Sequence, residues 1–203
     1  MPVPQVNRFR GQIAGVGSTS GTRVVVGRWL RSPLGAFADA MVERPDGHRV
    51  LLAPSEEVRD FVTRTYAFDE ARVEPVDLAV DGDEWLVDSP SLWLRLTVGG
   101  RMPLGWLLRT VPGPIATSPA WARAVDPLAR TVLRGVRTRG TAQEGREESY
   151  GATDMHAVTA VCGTFDGQSL GPVAPVDPPC RFGFSSTPRT PAVTDVVTTV
   201  VVG

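Results

Sequence analysis

The 203-residue sequence contains no lysine, and all 21 of its basic residues are arginines. A covalent mechanism that forms a Schiff base with a carbonyl substrate needs a lysine amine, so the sequence excludes this chemistry. Arginines and acids almost balance, which leaves a formal net charge of −1. The totals therefore predict no general affinity for polyanions.

Histidine and cysteine are also scarce, and the complete set is His48, His156, Cys162 and Cys180. The cysteines lack the CxxC spacing of metal sites, and a zinc site would need nearly the whole supply of ligands. We therefore expect no metal and no cofactor. The sequence has no apolar run near 18 residues and no signal-like start, so we expect a cytoplasmic protein with reduced thiols and no transmembrane segment.

The opening stretch QIAGVGSTSGTRVVVG, residues 12–27, looks like a nucleotide-binding loop because glycines follow an apolar strand. A phosphate-binding loop must open a helix, whereas residues 22–26, four of which are β-branched, predict a second strand. A P-loop would also need a lysine. The stretch therefore predicts a hairpin or bulged turn in which glycines supply positive φ angles.

Short segments of alternating apolar and polar residues recur along the chain, separated by turn signals such as Asp46-Gly47. They predict about nine or ten strands, with Ser55 as the N-cap of one short helix. Between residues 101 and 140 the apolar period becomes helical. We expect one mainly β domain over residues 1–203, an antiparallel barrel or sandwich, in which the Arg-rich helical insertion 101–140 covers one face or mouth.

The C-terminal segment VTDVVTTVVV, residues 193–202, carries valine on both faces of a strand. A strand that is apolar on both sides is expected inside a structure, paired on both edges. We expect it to pair with the strand around residues 9–16 and to close the barrel.

The segment YGATDMHAVTAVC contains a candidate acid–base cluster. In a regular strand Tyr150, Asp154 and His156 share one face, where Asp154 would orient the imidazole of His156 for proton transfer. A bulge at Gly151 would break this parity. The alternative interpretation is structural, with Asp154 in a turn and His156 as a hydrogen-bonded residue at the rim.

Asp39 stands between Phe37 and Met41 on one face of a predicted strand, so we expect its carboxyl group to be buried. A buried carboxylate needs a partner, and Arg28 in the preceding strand is the candidate. The two residues form either a structural ion pair or part of a ligand-binding or catalytic site.

The insertion carries seven arginines against one acid, Asp126. A basic helical segment that also contains tryptophan can contact an anionic head group or a lipid surface, and Arg123, Arg130 and Arg134 are the candidate contacts. The alternative is a solvated helix face that pairs with the acidic β region. Nucleic acid is not an expected partner, because basic and aromatic residues do not interleave on the predicted strands.

The runs SGTRVVVGRW, SPLGAFADAMVERPDGHRVLLAP and RFGFSSTPRTP resemble an uncharacterised family of actinobacterial proteins over most of the chain. The exclusive use of arginine is, separately, typical of very GC-rich bacterial genomes. The resemblance implies no activity and no functional residue. The strand pattern also resembles lipocalin-type barrels, which is an analogy at the level of the fold.

Three functions remain as hypotheses. The first is a β-barrel-like module that binds a small apolar or amphipathic molecule, with the insertion as a lid or as the contact for an anionic head group. The second is an enzyme that uses Asp154, His156 and Tyr150. The third is a homo-oligomeric interaction module, such as a homodimer, that pairs through its C-terminal strand.

Overall fold

The computed structural model describes residues 5–132, 136–141 and 146–202, without the side chains of Pro119 and residues 128–132. The first strands are β1 (Gln5–Ser18), β2 (Arg23–Arg31), β3 (Phe37–Glu43) and β4 (Arg49–Ala53), followed by α1 (Glu56–Thr63). Next come β5 (Glu70–Val73), β6 (Asp77–Asp81), β7 (Glu84–Asp88) and β8 (Leu92–Arg101). The insertion contains α2 (Pro103–Arg109), α3 (Gly113–Ala116) and α4 (Pro119–Val132). The last strands are β9 (Arg139–Thr141), β10 (Glu147–Phe165), β11 (Gln168–Ser169), β12 (Val173–Ala174) and β13 (Ala192–Val202).

The predicted fold class is confirmed. The described chain is mainly β, with one short helix in its first half and a helical insertion between β8 and β9. Ser55 is the N-cap of α1, and its hydroxyl accepts a hydrogen bond from the amide of Val58 at 3.3 Å. The opening stretch forms the antiparallel β1–β2 hairpin, with Gly21 at a φ of +85° in the turn. No helix follows this turn, so the phosphate-loop interpretation fails on geometry.

The strands form one sheet in the order β5–β4–β3–β2–β1–β13–β10–β8–β7–β6. β13 pairs with β1 along its length, so the predicted pairing with residues 9–16 is confirmed, and its other edge pairs with β10. The predicted closure of the barrel is wrong, because β5 and β6 lie at opposite ends of the described sheet. Side chains instead connect β5 to the turn between β7 and β8: Glu74, just after β5, accepts hydrogen bonds from the hydroxyls of Ser89 and Ser91.

Alternation along the central strands gives the sheet two buried faces. On one face β2 and β3 direct Val24, Val26 and Val42 into the main core. The folded-over sheet brings residues such as Leu94 and Leu96 of β8 into the same core. The neighbouring residues on β2 and β3 point to the opposite face, where the helices pack. That opposite face carries the site described below.

A chain that ends at Ala192 lacks nearly all of β13, so we expect it to be insoluble or molten. Its loss separates β1 from β10 and exposes two unpaired strand edges. Size-exclusion chromatography and near-UV circular dichroism check this outcome, with a chain ending at Val201 as the control that keeps the ladder. A soluble, monomeric and cooperatively folding product of the longer truncation would contradict it.

Candidate functional site

A cavity of about 780 Å³ lies between the second face of the sheet and the helices. Strands β1, β2, β3, β10 and β13 form its floor, and α1, α2, α4 and the segment around residues 180–188 cover it. Its lining is largely apolar, as the following residues illustrate: Phe9, Val25, Met41, Leu104, Trp121 and Val196. Cavities that hold small organic ligands typically measure about 300–1,000 Å³, so this one has the size of a ligand site.

The helices of the insertion cover the cavity with apolar residues that recur at helical spacing. On α2, Leu104, Leu107 and Leu108 lie three to four residues apart and line the cavity together, as do Trp121 and Val125 on α4. Gly105 lets α2 approach β10 closely, because a Cβ atom there would lie 2.4 Å from the carbonyl oxygen of Met155. The α2 helix therefore lies directly against the floor strand.

A carboxyl group and two phenols meet on one wall of the cavity. Glu148 and Tyr150 both point inward from β10, and Tyr66 reaches them from just beyond α1. The hydroxyl of Tyr66 donates to Oε1 of Glu148 at 2.5 Å and lies 2.8 Å from the hydroxyl of Tyr150. Glu148 is only 1% exposed, so this cluster is shielded from bulk water.

Burial changes the proton affinity of each group in the cluster. It raises the pKa of Glu148 to about 7, against hydrogen bonds from the two tyrosines that lower it. The pKa values of Tyr66 and Tyr150 lie well above the usual value, because burial and the neighbouring carboxylate both disfavour a phenolate. Glu148 therefore exchanges its proton near neutral pH, while both phenols stay protonated.

Asp39 is a second buried carboxyl group in the cavity lining, as its burial was predicted. The indole Nε1 of Trp29 donates to its Oδ1 at 2.9 Å, and burial raises its pKa to about 7. The expectation that Arg28 pairs with Asp39 is wrong, because Arg28 lies on the opposite face of β2 and donates to Oε1 of Gln12 at 2.8 Å. Neighbouring residues of a strand point to opposite faces, so Trp29 can reach Asp39 whereas Arg28 cannot.

Four buried polar atoms of the lining have no hydrogen-bond partner within the described part of the chain. They are Nε of Arg137, Oε2 of Glu148, Oγ1 of Thr187 and Oγ1 of Thr198. Thr198 faces Tyr150 across the β10–β13 ladder, so two of these atoms lie near the phenols. Buried polar groups are normally hydrogen-bonded, and each of these four atoms belongs to a residue that lines the cavity.

The structure separates Tyr150 from the other two residues of the predicted acid–base cluster. A register shift between Ala152 and Asp154 reverses the parity of β10, so the cavity is lined by Tyr150 and, beyond the shift, by Met155. The expectation that Tyr150, Asp154 and His156 share a face is therefore wrong. A bulge does break the parity, but it lies after Ala152 and not at Gly151.

Asp154 belongs to an ion-pair cluster beside α2. Nε of Arg101 donates to both of its carboxylate oxygens, at 2.8 and 3.0 Å, and a guanidinium nitrogen of Arg109 lies 3.6 Å away. Although partial burial acts to raise the pKa of Asp154, hydrogen bonds from Arg101 and the Met155 amide hold it below its usual value. His156 is partly buried on the same strand and is not among the described cavity-lining residues.

The candidate anion contacts of the insertion do not contribute described lining residues. Arg123 is exposed on α4, while the side chain of Arg130 and the whole of Arg134 lie outside the described residues. Instead Arg137, which follows the helices, lines the cavity. That Arg123, Arg130 and Arg134 bind an anion stays a prediction.

Other chemistry is limited in the described ranges. No group of three or more histidine, cysteine or acidic side chains there is arranged to hold a metal ion. Cys180 lines the cavity as a free thiol, and burial raises its pKa to about 12, so it is a weak nucleophile. None of the helices in this part of the chain combines the length and apolarity needed to cross a membrane.

Comparison with protein-family models and with curated proteins finds no match for the sequence. Among solved structures, the chain is similar to acetoacetate decarboxylase from Legionella pneumophila, with 9% identity over 100% of this chain and 90% of that one, at a TM-score of 0.43. A second acetoacetate decarboxylase structure has 8% identity over 100% of this chain and 88% of that one, at a TM-score of 0.48. The structure of a putative AttH from Nitrosomonas europaea has 8% identity over 98% of this chain and 51% of that one, at a TM-score of 0.30. Likeness at this level assigns neither a family nor an activity.

The raised pKa of Glu148 makes stability depend on pH. Folding raises this pKa from 4.5 to about 7, so the stability that the neutral carboxyl contributes is present below about pH 4.5 and is lost as the pH rises through 7. We expect the stability of Glu148→Gln relative to the wild type to increase by about 2 kcal/mol from about pH 5 to about pH 8, because the amide does not ionise.

Urea unfolding at a series of pH values measures this gain. Glu147→Gln, at the exposed neighbouring position, is the control and should follow the wild-type curve. A constant difference between Glu148→Gln and the wild type across this pH range would show that the carboxyl group is not neutral in the folded protein.

Proposed function

We propose that this chain binds a small, mainly apolar or amphipathic molecule in the cavity between the sheet and the helical insertion. The strongest support is that the cavity lining is largely apolar and that four of its residues carry buried polar atoms with no hydrogen-bond partner among the described residues. An apolar ligand would gain roughly 25 cal/mol for each Å² of surface removed from water. The polar atoms would fix its orientation.

The polar end of the ligand would lie beside Glu148, Tyr150 and Thr198. Leaving a buried polar group unpaired costs about 1–3 kcal/mol, so a ligand that supplies the missing hydrogen bonds binds with a preference over a plain hydrocarbon. With a pKa of about 7, Glu148 can donate or accept a hydrogen bond near neutral pH. A hydroxyl or carbonyl group suits this wall, whereas an anion would be repelled by the ionised form of Glu148.

A second candidate function is acid–base catalysis on the bound molecule. The specific observation in its favour is a carboxyl group that titrates near neutrality, hydrogen-bonded to a phenol inside a cavity of ligand size. In this version Glu148 transfers the proton and the tyrosines position the reacting oxygen. Catalysis by Asp154 and His156 would need a substrate outside the described cavity lining.

Filling the cavity tests the binding proposal. We expect Ala152→Phe to weaken binding of the neutral fluorescent probe N-phenyl-1-naphthylamine at least tenfold, because the new ring occupies space at the cavity floor. Ala160→Phe places the same ring at an exposed position of the same strand and is the matched control.

The measurement is the probe's fluorescence increase on titration, accompanied by urea unfolding of both variants to show that each is folded. Saturable binding that is weakened only by Ala152→Phe supports the cavity as the site. Equal binding by both variants, or no saturable binding by the wild type, would overturn the proposal.

A further inference from the structure

A second concavity, of about 1,000 Å³, lies on the opposite face of β1 and β13 from the cavity. Its floor uses the alternate residues of β1, including Arg8 and Arg10, whereas Phe9 and Ile13 point into the cavity. The end of β2 forms one wall and α3 forms the other. We call this concavity the arginine groove.

Gly151 allows α3 to form the second wall. A Cβ atom at this position would lie 2.5 Å from the carbonyl oxygen of Ala116 and 2.7 Å from Cα of Thr117. The short helix and the residue that follows it therefore pack directly on the backbone of β10. The groove is thus shaped by backbone packing as well as by its side chains.

The charge in the groove is strongly unbalanced. Four arginines line it, namely Arg8, Arg10, Arg28 and Arg31, against one carboxylate, Asp195. Gln12 connects Arg28 to Asp195: its Oε1 accepts from Arg28 at 2.8 Å, and its Nε2 donates to Asp195 at 2.7 Å. This bridge holds Arg28 and Asp195 in place and leaves the other three guanidinium groups facing the groove.

The side chains of Arg8, Arg10 and Arg31 are exposed, and none of the three has an ion pair or a hydrogen bond within the described ranges. Elsewhere arginines commonly pair with acids, as Arg49 does with Asp69 at 2.9 Å. In addition, Arg10 stands directly opposite Arg31 in the β1–β2 ladder. Like charges at such positions destabilise a sheet, so this arrangement is unfavourable unless an anion lies between them.

We propose that the arginine groove binds a molecule that carries a phosphate group. Arginine side chains bind phosphate oxygens through paired N–H donors. Three guanidinium groups with no partner among the described residues match a multiply charged group better than a single carboxylate. The volume of the groove leaves room for more than the phosphate itself, which points to a phosphate ester. Such an ester is either a soluble metabolite or the head group of a lipid. This proposal is independent of the ligand in the cavity.

The test uses isothermal titration calorimetry of the full chain with sodium pyrophosphate, and co-sedimentation with vesicles of phosphatidylcholine alone or mixed with phosphatidylglycerol. The groove variant is Arg8→Gln with Arg10→Gln. The matched control is Arg64→Gln with Arg95→Gln, which removes the same charge from exposed positions outside the groove.

We expect the groove variant to bind at least tenfold more weakly than the wild type, about 1.4 kcal/mol, and the control to bind like the wild type. A selective loss of pyrophosphate binding indicates a soluble ester, and a selective loss of binding to the anionic vesicles indicates a lipid head group. Either result supports the groove. Urea unfolding should show the groove variant to be at least as stable as the wild type, since a like-charge pair has been removed.

Two results would overturn the proposal. One is that the wild type binds neither pyrophosphate nor anionic vesicles. The other is that the groove and control variants lose binding equally, which would show that overall charge, and not the groove, attracts the anion.

Discussion

The central strands of this protein must be covered on both faces, because their side chains are apolar in both directions. β2 directs Val24 and Val26 into the main core and Val25 towards the cavity. The first face is covered when the sheet folds over on itself, and the second face is covered by α1 and the insertion. The helices do not fill the second space as closely as the sheet fills the first, and the cavity is the volume that remains.

The placement of two carboxyl groups in that volume needs a further reason. Asp39 and Glu148 are 2% and 1% exposed, and burial raises the pKa of each to about 7. Burying an ionisable group in apolar surroundings opposes stability as soon as the group ionises. Trp29 and Tyr66 each donate one hydrogen bond and so reduce this cost without removing it. Costs of this kind concentrate at functional sites, which agrees with the proposed contact between the cavity wall and the polar end of a ligand.

Much of the fold could be predicted from local sequence. The turn at Asp46-Gly47, the cap at Ser55 and the helical period after residue 101 depend on neighbouring residues, and each element lies where its pattern placed it. The pairing of β13 with β1 was also predictable, because a strand that is apolar on both faces needs a partner on each edge. Whether the barrel closes was not predictable, because closure depends on the three-dimensional positions of the two ends of the sheet.

The candidate site was harder to predict for the same reason. Tyr66 and Glu148 are 82 residues apart, and nothing local to either one indicates that they share a hydrogen bond. Tyr66 follows α1, whereas Glu148 and Tyr150 lie two residues apart on β10, so the three side chains meet only when the helix packs on the sheet. The bulge after Ala152 then moved Asp154 and His156 out of the cluster. Its position depends on how β10 and β13 pair, which composition and parity do not determine.

The most direct test of a ligand-binding cavity is native mass spectrometry of the protein purified from its own host, compared with the same sample after denaturation. A ligand-binding cavity predicts a discrete added mass on the folded chain that is released on unfolding and is identified, after extraction, as a small apolar molecule with a hydroxyl or carbonyl group. A folded chain that carries only its own mass, or an added mass that persists on the unfolded chain, would contradict the account.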